Sequence, residues 1–192
     1  MASAQSSNGG QAASLAARPP SMPAPAFVVR RAAAGDVFAL MDLKWRMSLA
    51  DQTSDLINAS ADEWVRDCLG PQARFHAFVA ERNGAVVGML TFNEQAFAGW
   101  RSTALYVQDV FVLTEHRRSG IGRALLAAAA SQATQCGACL VYLNVHGNNP
   151  ARRLYERTGF EAVPNCVVHC VSGPAMHALA EAAEPEMPSG DS

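Results

Sequence analysis

The stretch Arg117-Arg118-Ser119-Gly120-Ile121-Gly122-Arg123 lies between an apolar run that reads as a strand and a periodic run that reads as a helix. Its residue types suit the binding of an anion. The first turn of a helix carries unpaired N–H groups and the positive end of the dipole. Two glycines let a pyrophosphate approach that backbone without meeting Cβ atoms, and three arginines within seven residues add counter-charge. Two common phosphate patterns do not fit. A Walker loop needs Gly-Lys-Ser/Thr, and no lysine stands here; the dinucleotide fingerprint needs a third small residue where Leu125 stands, and an acid after the next strand. Farther on, Asn148-x-x-Ala151-x-x-Leu154-Tyr155-x-x-x-Gly159-Phe160 brings a tyrosine, whose phenol has an ordinary pKa of about 10 and so stays protonated at neutral pH. Such a group can serve as a proton donor.

These residues need elements to hold them. Phe27–Arg31 reads as a short strand, followed by a helix that Asp36 can cap and in which Val37, Leu40, Leu43 and Met47 recur at helical spacing. A second helix fits 61–68, where Ser60 to Glu63 offers a capping box and Gly70-Pro71 a stop. Strands at 75–81 and 85–92 flank Arg82-Asn83-Gly84, a hairpin signal because both turn positions need positive φ. A strand over 104–113, a helix over 119–135 ended by Gly137, and a strand over 139–145 follow. Asn149-Pro150 opens a helix that Gly159 closes; 160–163 and 167–171 read as closing strands, and Pro174 begins a last helix to about Glu184. The expected fold class is α/β: a mixed sheet, antiparallel in front, with one βαβ crossover behind and flanking helices.

Composition narrows the function. The chain has 192 residues, 49% hydrophobic and 17% charged, with 15 basic against 17 acidic residues and a net charge of −2. No general basic field is available for a nucleic-acid backbone, and no apolar run reaches the ~20 residues that span a bilayer. Residues 1–26 form an Ala/Ser/Pro-rich leader and 185–192 a polar tail, both expected to be disordered, which leaves one domain over 27–184. Five cysteines, and no secretory layout at the start, indicate a reducing, cytoplasmic setting; an organelle transit role for the leader is disfavoured by its single arginine.

Together, Arg117-x-x-Gly120-x-Gly122 and Asn148…Tyr155…Gly159-Phe160 resemble the GNAT superfamily of N-acetyltransferases over about residues 27–171. The resemblance implies a largely antiparallel sheet with a splayed parallel pair, and acetyl-CoA as co-substrate. It implies that Arg117, Arg118, Ser119, Gly120, Ile121, Gly122 and Arg123 bind the pyrophosphate, and that Val110, Phe111 and Val112 pair with the pantetheine amides. Asn148 would contact the pantetheine arm or secure its loop, and Tyr155 would protonate the leaving thiolate. It further implies direct acetyl transfer to the primary amine of a small molecule, or second a peptide or protein amine, and a homodimer; no metal, nucleic acid or membrane is expected.

The stretch YVQDVFVLTEHRRSGIG is similar to that of diamine acetyltransferases, which carry Glu where this chain has Gln108. Gln cannot act as a base, so polyamine chemistry is not expected, and a non-catalytic acyl-CoA sensor or scaffold is the competing reading. Strand alternation turns Asp109 away if Gln108 faces the cleft, giving Asp109 a structural hydrogen bond. Gln108 and Asp51 are candidate acceptor contacts; Glu94 and His146 are weaker candidates, and the base is unassigned. The acceptor pocket is expected from the loops 51–62 and 94–103. Cys136-x-x-Cys139 and Cys166-x-x-His169-Cys170 have zinc-like spacing, but they fall at a helix end and in strands rather than in a turn that presents a metal pair.

Overall fold

A computed structural model describes residues 26–96 and 102–181. Most of the leader and all of the tail lie outside these residues, as does the centre of the 94–103 loop. The chain divides into two compact units, one ending at Val145 and the other beginning at His146.

The first unit is built on a five-stranded sheet in the order β1-β2-β3-β4-β5. The strands are β1 (Val28–Arg31), β2 (His76–Arg82), β3 (Ala85–Ala96), β4 (Thr103–Val112) and β5 (Leu140–Leu143). The hairpin between β2 and β3 turns at Asn83 and Gly84, with φ of 52° and 79° as an Asn-Gly turn requires. The first four strands pair antiparallel and β4–β5 pairs parallel.

Each face of the sheet carries helices. On one, α1 (Val37–Ala50) sets Val37, Leu40 and Leu43 against Val79, Met89 and Phe111, joined by Trp64 and Cys68 from the next helix. On the other, Phe78 and Phe92 stack at 5.3 Å, and the following helix, α3 (Ile121–Gln135), buries Ile121, Leu125, Leu126, Ala129 and Ala133. Burial of one such side chain contributes about 1.5–3 kcal/mol, so both layers are needed to hold β4. Arg31 spans the second face: its guanidinium lies 5.1 and 5.0 Å over the Phe78 and Phe92 rings while it donates to Gln132 of α3.

α2 (Ala61–Trp64) begins with the expected capping box: the Ser60 hydroxyl accepts from the Glu63 N–H, and the Ser60 N–H donates to the Glu63 carboxylate at 2.8 Å. It continues as a π-turn over Val65–Leu69. It ends at Gly70, whose backbone turns extended, and only glycine fits there because a Cβ would stand 2.6 Å from the Arg66 carbonyl oxygen. Asp36 departs from the capping role expected of it. Its carboxylate points upstream, accepting from the Ala33 N–H and taking a forked ion pair from Arg30 at 2.7 and 2.9 Å.

The second unit holds α4 (Arg152–Arg157) and α5 (Gly173–Glu181). The strands expected at 160–163 and 167–171 are absent among the described residues. Pro164 and Asn165, the latter at φ 59°, break the run; Val163, Val167, Val168 and Val171 do not alternate with period two and are exposed. The second cysteine cluster therefore lies in irregular chain. No helix among the described residues is long and apolar enough to cross a membrane.

Candidate acetyl-transfer site

The turn into α3 has the geometry its residues suggested. Arg118 and Gly120 both take left-handed conformations, at φ 59° and 90°. Ser119 Oγ donates to the His116 carbonyl at 2.6 Å, and Arg117 Nε donates to the Val112 carbonyl at 2.9 Å. Those bonds tie the turn to the end of β4. The first bond of the helix itself runs from the Ala124 N–H to the Gly120 carbonyl. Among the described residues, the amides of Arg118 to Arg123 reach no carbonyl of a turn or loop. Apart from its neighbours in the chain, no atom lies within 4 Å of the Cβ that Gly120 lacks, so the turn has open space at that point. Gly88 brings the turn close to the sheet: a Cβ there would stand 3.1 Å from the Phe111 carbonyl and 3.3 Å from Ile121 Cγ2.

β4 has one free edge beside this turn. β5 pairs with it only from Ala104 to Val107. Beyond that point, Val110, Phe111 and Val112 pair with β3 and have their other edge unpaired with β5.

The ladder between β3 and β4 slips at the same point. Phe92 pairs with Val107 and Thr91 with Asp109, leaving Gln108 as the extra residue of a β-bulge. This corrects the simple alternation expected here. The bulge sends Val107 and Asp109 to opposite faces and lets Gln108 and Asp109 border the same cavity. Asp109 does carry the structural bonds expected: Lys44 Nζ donates to one oxygen at 2.8 Å and the Thr91 hydroxyl to the other at 2.8 Å.

That cavity, of about 310 Å³, lies within the first unit. Lys44, Asp109 and Gln108 form its polar wall, and Ile57, Trp64 and Phe75 its apolar one. Glu63 and Asp67 add carboxylates at the rim. The Ser60 N–H and hydroxyl hold Glu63 below the ordinary carboxylate range, and the Arg66 guanidinium does the same for Asp67, so both are anions at neutral pH. Of the loops expected to build the pocket, 51–62 contributes through Leu56 to Ala59. Asp51 does not border the cavity; it is exposed at the end of α1, its N–H bonded to the Met47 carbonyl. Glu94 is exposed on β3.

In the second unit, Asn148 is exposed and precedes a turn in which the Asn149 side chain accepts from the Ala151 N–H at 2.9 Å. Tyr155 is half-buried on α4, its ring 6.0 Å from that of Phe160, whose N–H donates to the Tyr155 carbonyl. His146 is exposed.

Sequence reasoning passed over Lys44, Trp64 and Phe75. Lys44 had a signal: it is the single lysine in a chain that otherwise uses arginine, set beside the apolar face of α1.

The model of the Acetyltransferase (GNAT) family matches residues 38–160, which takes in both the turn and Tyr155. The chain belongs to the GNAT acetyltransferase family. Among curated relatives, the uncharacterized N-acetyltransferase YhfO of Bacillus subtilis (strain 168) is 37% identical over 99 residues, covering 50% of this chain and 66% of its own. The L-methionine sulfoximine/L-methionine sulfone acetyltransferase of Salmonella typhimurium is 32% identical over 112 residues, covering 57% and 62%. The matches thus span just under two thirds of these relatives' length. Among solved structures, the aminoglycoside acetyltransferase meta-AAC0020 from an uncultured soil metagenomic sample superposes with a TM-score of 0.67 at 22% identity, covering 77% of this chain and 96% of that one. This GNAT chain therefore shares its fold with that enzyme.

Proposed function

We propose that this protein is an acetyl-CoA-dependent N-acetyltransferase that passes the acetyl group directly to the primary amine of a small molecule. The observation that carries the reading is one strand with two uses. From Val110 to Val112, β4 has a free edge that runs into an open, amide-lined turn; two residues earlier, its bulge opens onto a cavity of substrate size. The relatives' names support a small-amine acceptor, since amino acid derivatives and aminoglycosides are small amines.

The residues fit acetyl-CoA. The amides of Ser119 to Arg123 would hold its pyrophosphate, with Arg117, Arg118 and Arg123 as counter-charge, and the free edge of β4 would hold its pantetheine amides. Asn148 would hold the arm or its own loop. Acetyl-CoA supplies an activated thioester carbonyl. An amide of β4 beside the bulge would steady the oxygen on which charge develops. The Tyr155 hydroxyl would give its proton to the departing sulfur and recover one from the acceptor nitrogen, directly or through water, as the C–S bond breaks and the amide forms. The amine must arrive with a lone pair. Gln108 cannot take its proton, and both oxygens of Asp109 are engaged by Lys44 and Thr91. The apolar wall of Ile57, Trp64 and Phe75, with the Lys44 ammonium beside it, would favour the neutral amine by desolvation and like-charge repulsion, against the opposite pull of the Glu63 and Asp67 carboxylates. Gln108 then orients the acceptor. Five free thiols are consistent with a reducing, cytoplasmic setting.

The test is release of the CoA thiol with a panel of amino acid derivatives, diamines, aminoglycosides and peptide N-termini. Turnover is expected with small primary amines and weaker turnover with peptides. Tight acetyl-CoA binding without thiol release from any amine would favour the sensor reading that Gln108 motivates.

A further inference from the structure

Side chains alternate along β3, so Thr91, Asn93 and Gln95 stand in a row on the face where Met89 meets α1, while Phe92 takes the other face. Polar groups under a packed layer need partners, and the two outer members of the row have them. The Thr91 hydroxyl donates to Asp109, and the Gln95 side chain accepts from the Tyr142 hydroxyl. Asn93, between them, does not: its Oδ1 is buried with no donor among the described residues. Such an atom bears the cost of leaving water with no bond in return. The Nδ2 of the same amide is not buried and makes no hydrogen bond among the described residues. A half-turn about Cβ–Cγ therefore brings the oxygen to the accessible side and breaks nothing.

We propose that Asn93 sets acceptor specificity, its amide holding a hydroxyl that the acceptor carries on the carbon beside its amine. Position gives the amide this use. Across the ladder Asn93 faces Tyr106, and one residue farther along β4 the pairing with β5 ends. Thr91, next along the same face, is bonded to Asp109 in the cavity wall, and residues two apart on a strand are separated by about 7 Å. Asn93 does not line the cavity, yet its side chain is within reach of a small molecule that extends from it. The side chains around it, Gln95, Tyr106, Gln108 and Tyr142, are uncharged. A second charge on the acceptor finds no counter-ion among them, whereas a hydroxyl both donates and accepts, as an amide does. A site that reserves a polar group for a hydroxyl rejects the analogue without it, because the group is then left unpaired. The inference rests on the proposed activity and names a feature of the acceptor that the activity alone does not.

Release of the CoA thiol by the full chain is measured with a vicinal aminocyclohexanol and with cyclohexylamine, which lacks only the hydroxyl. The ratio of kcat/KM for the two amines should fall at least about ten-fold from the wild type to Asn93→Leu, through a higher KM for the amino alcohol and an unchanged KM for acetyl-CoA. The melting temperature of Asn93→Leu should equal or exceed that of the wild type, since an apolar group of like size replaces an unpartnered amide. Asn93→Ala, which intrudes on nothing, should show the same fall in the ratio. An unchanged ratio in folded variants, or a rise in the acetyl-CoA KM in place of the amino alcohol's, would overturn the inference. So would a loss of several degrees in both variants, because the amide would then have a partner within the fold. Melting temperatures with CoA and the amino alcohol separate this inference from the activity: the alcohol should raise that of the wild type and of neither variant. That shift without thiol release from either amine would sink the transfer and leave the Asn93 contact standing; neither shift nor release would sink both.

Discussion

At the scale of single residues, the turn before α3 was legible and the cavity was not. Arg117 to Arg123 reads as an anion site because glycine, arginine and a helix start each contribute a separate physical reason to bind phosphate, and the turn conformation agrees with that reading. The bulge at Gln108 left no such mark, since the polar pair Gln108-Asp109 set within an apolar run is naturally read as simple alternation. Gly120 sits at φ 90° and ψ −9°, so Gly120→Ala should cost about 1–2 kcal/mol of turn strain. Calorimetry should show roughly ten-fold weaker acetyl-CoA binding if that strain is relieved by moving the turn. Tyr155→Phe should lower kcat about a hundred-fold or more while the KM values hold, the signature of a lost proton donor. Lys44→Met leaves the Asp109 carboxylate, 15% exposed, with Thr91 alone. Its cost should be about 2 kcal/mol in chemical denaturation, between that of a surface pair and that of a fully buried one.

Among the elements, periodicity located the helices and the hairpin but misjudged the end of the chain. α1 and α3 were evident from their apolar spacing, and α2 from its capping box and its stop at Gly70. The valines of 160–171 have β propensity without the alternation or the partner edge that makes a strand, and propensity alone does not form a ladder. The close approach of α3 to β3 and β4 at Gly88 also went unread, because a lone glycine in a strand gives no direction. Gly88→Ala must push the Phe111 carbonyl or Ile121 aside. We expect a stability loss of about 1–3 kcal/mol from the overpacking. Because Ile121 begins α3, the acetyl-CoA KM should rise several-fold while the acceptor KM stays near wild type, as steady-state kinetics with each substrate varied would show.

For the molecule as a whole, composition gave no support for a bulk nucleic-acid or membrane role, and motif spacing supplied the family; the acceptor was out of reach because the cavity proposed to hold it is assembled from α1, α2 and a bulged strand far apart in sequence. Acid stability offers a global readout of how the first unit is pinned together. The Arg30 guanidinium holds the Asp36 carboxyl below its ordinary range. A depressed folded pKa means stability that is fully present above the unfolded value, about 3.9, and that is lost as pH falls through the folded value. The melting temperature of Asp36→Asn should therefore lie below wild type at pH 7, and the gap should close as pH falls from about 4 toward 2.

The most direct measurement is calorimetric titration of acetyl-CoA into the full chain and into Gly120→Glu, with the fold of the variant verified by its circular dichroism. Saturable binding at one site in the wild type, weakened at least about a hundred-fold by a carboxylate placed in the open turn, is the expected result. No saturable binding by the wild type, or equal binding by both proteins, would contradict the assignment of the Arg117–Arg123 backbone as the pyrophosphate site on which the rest of the site is built.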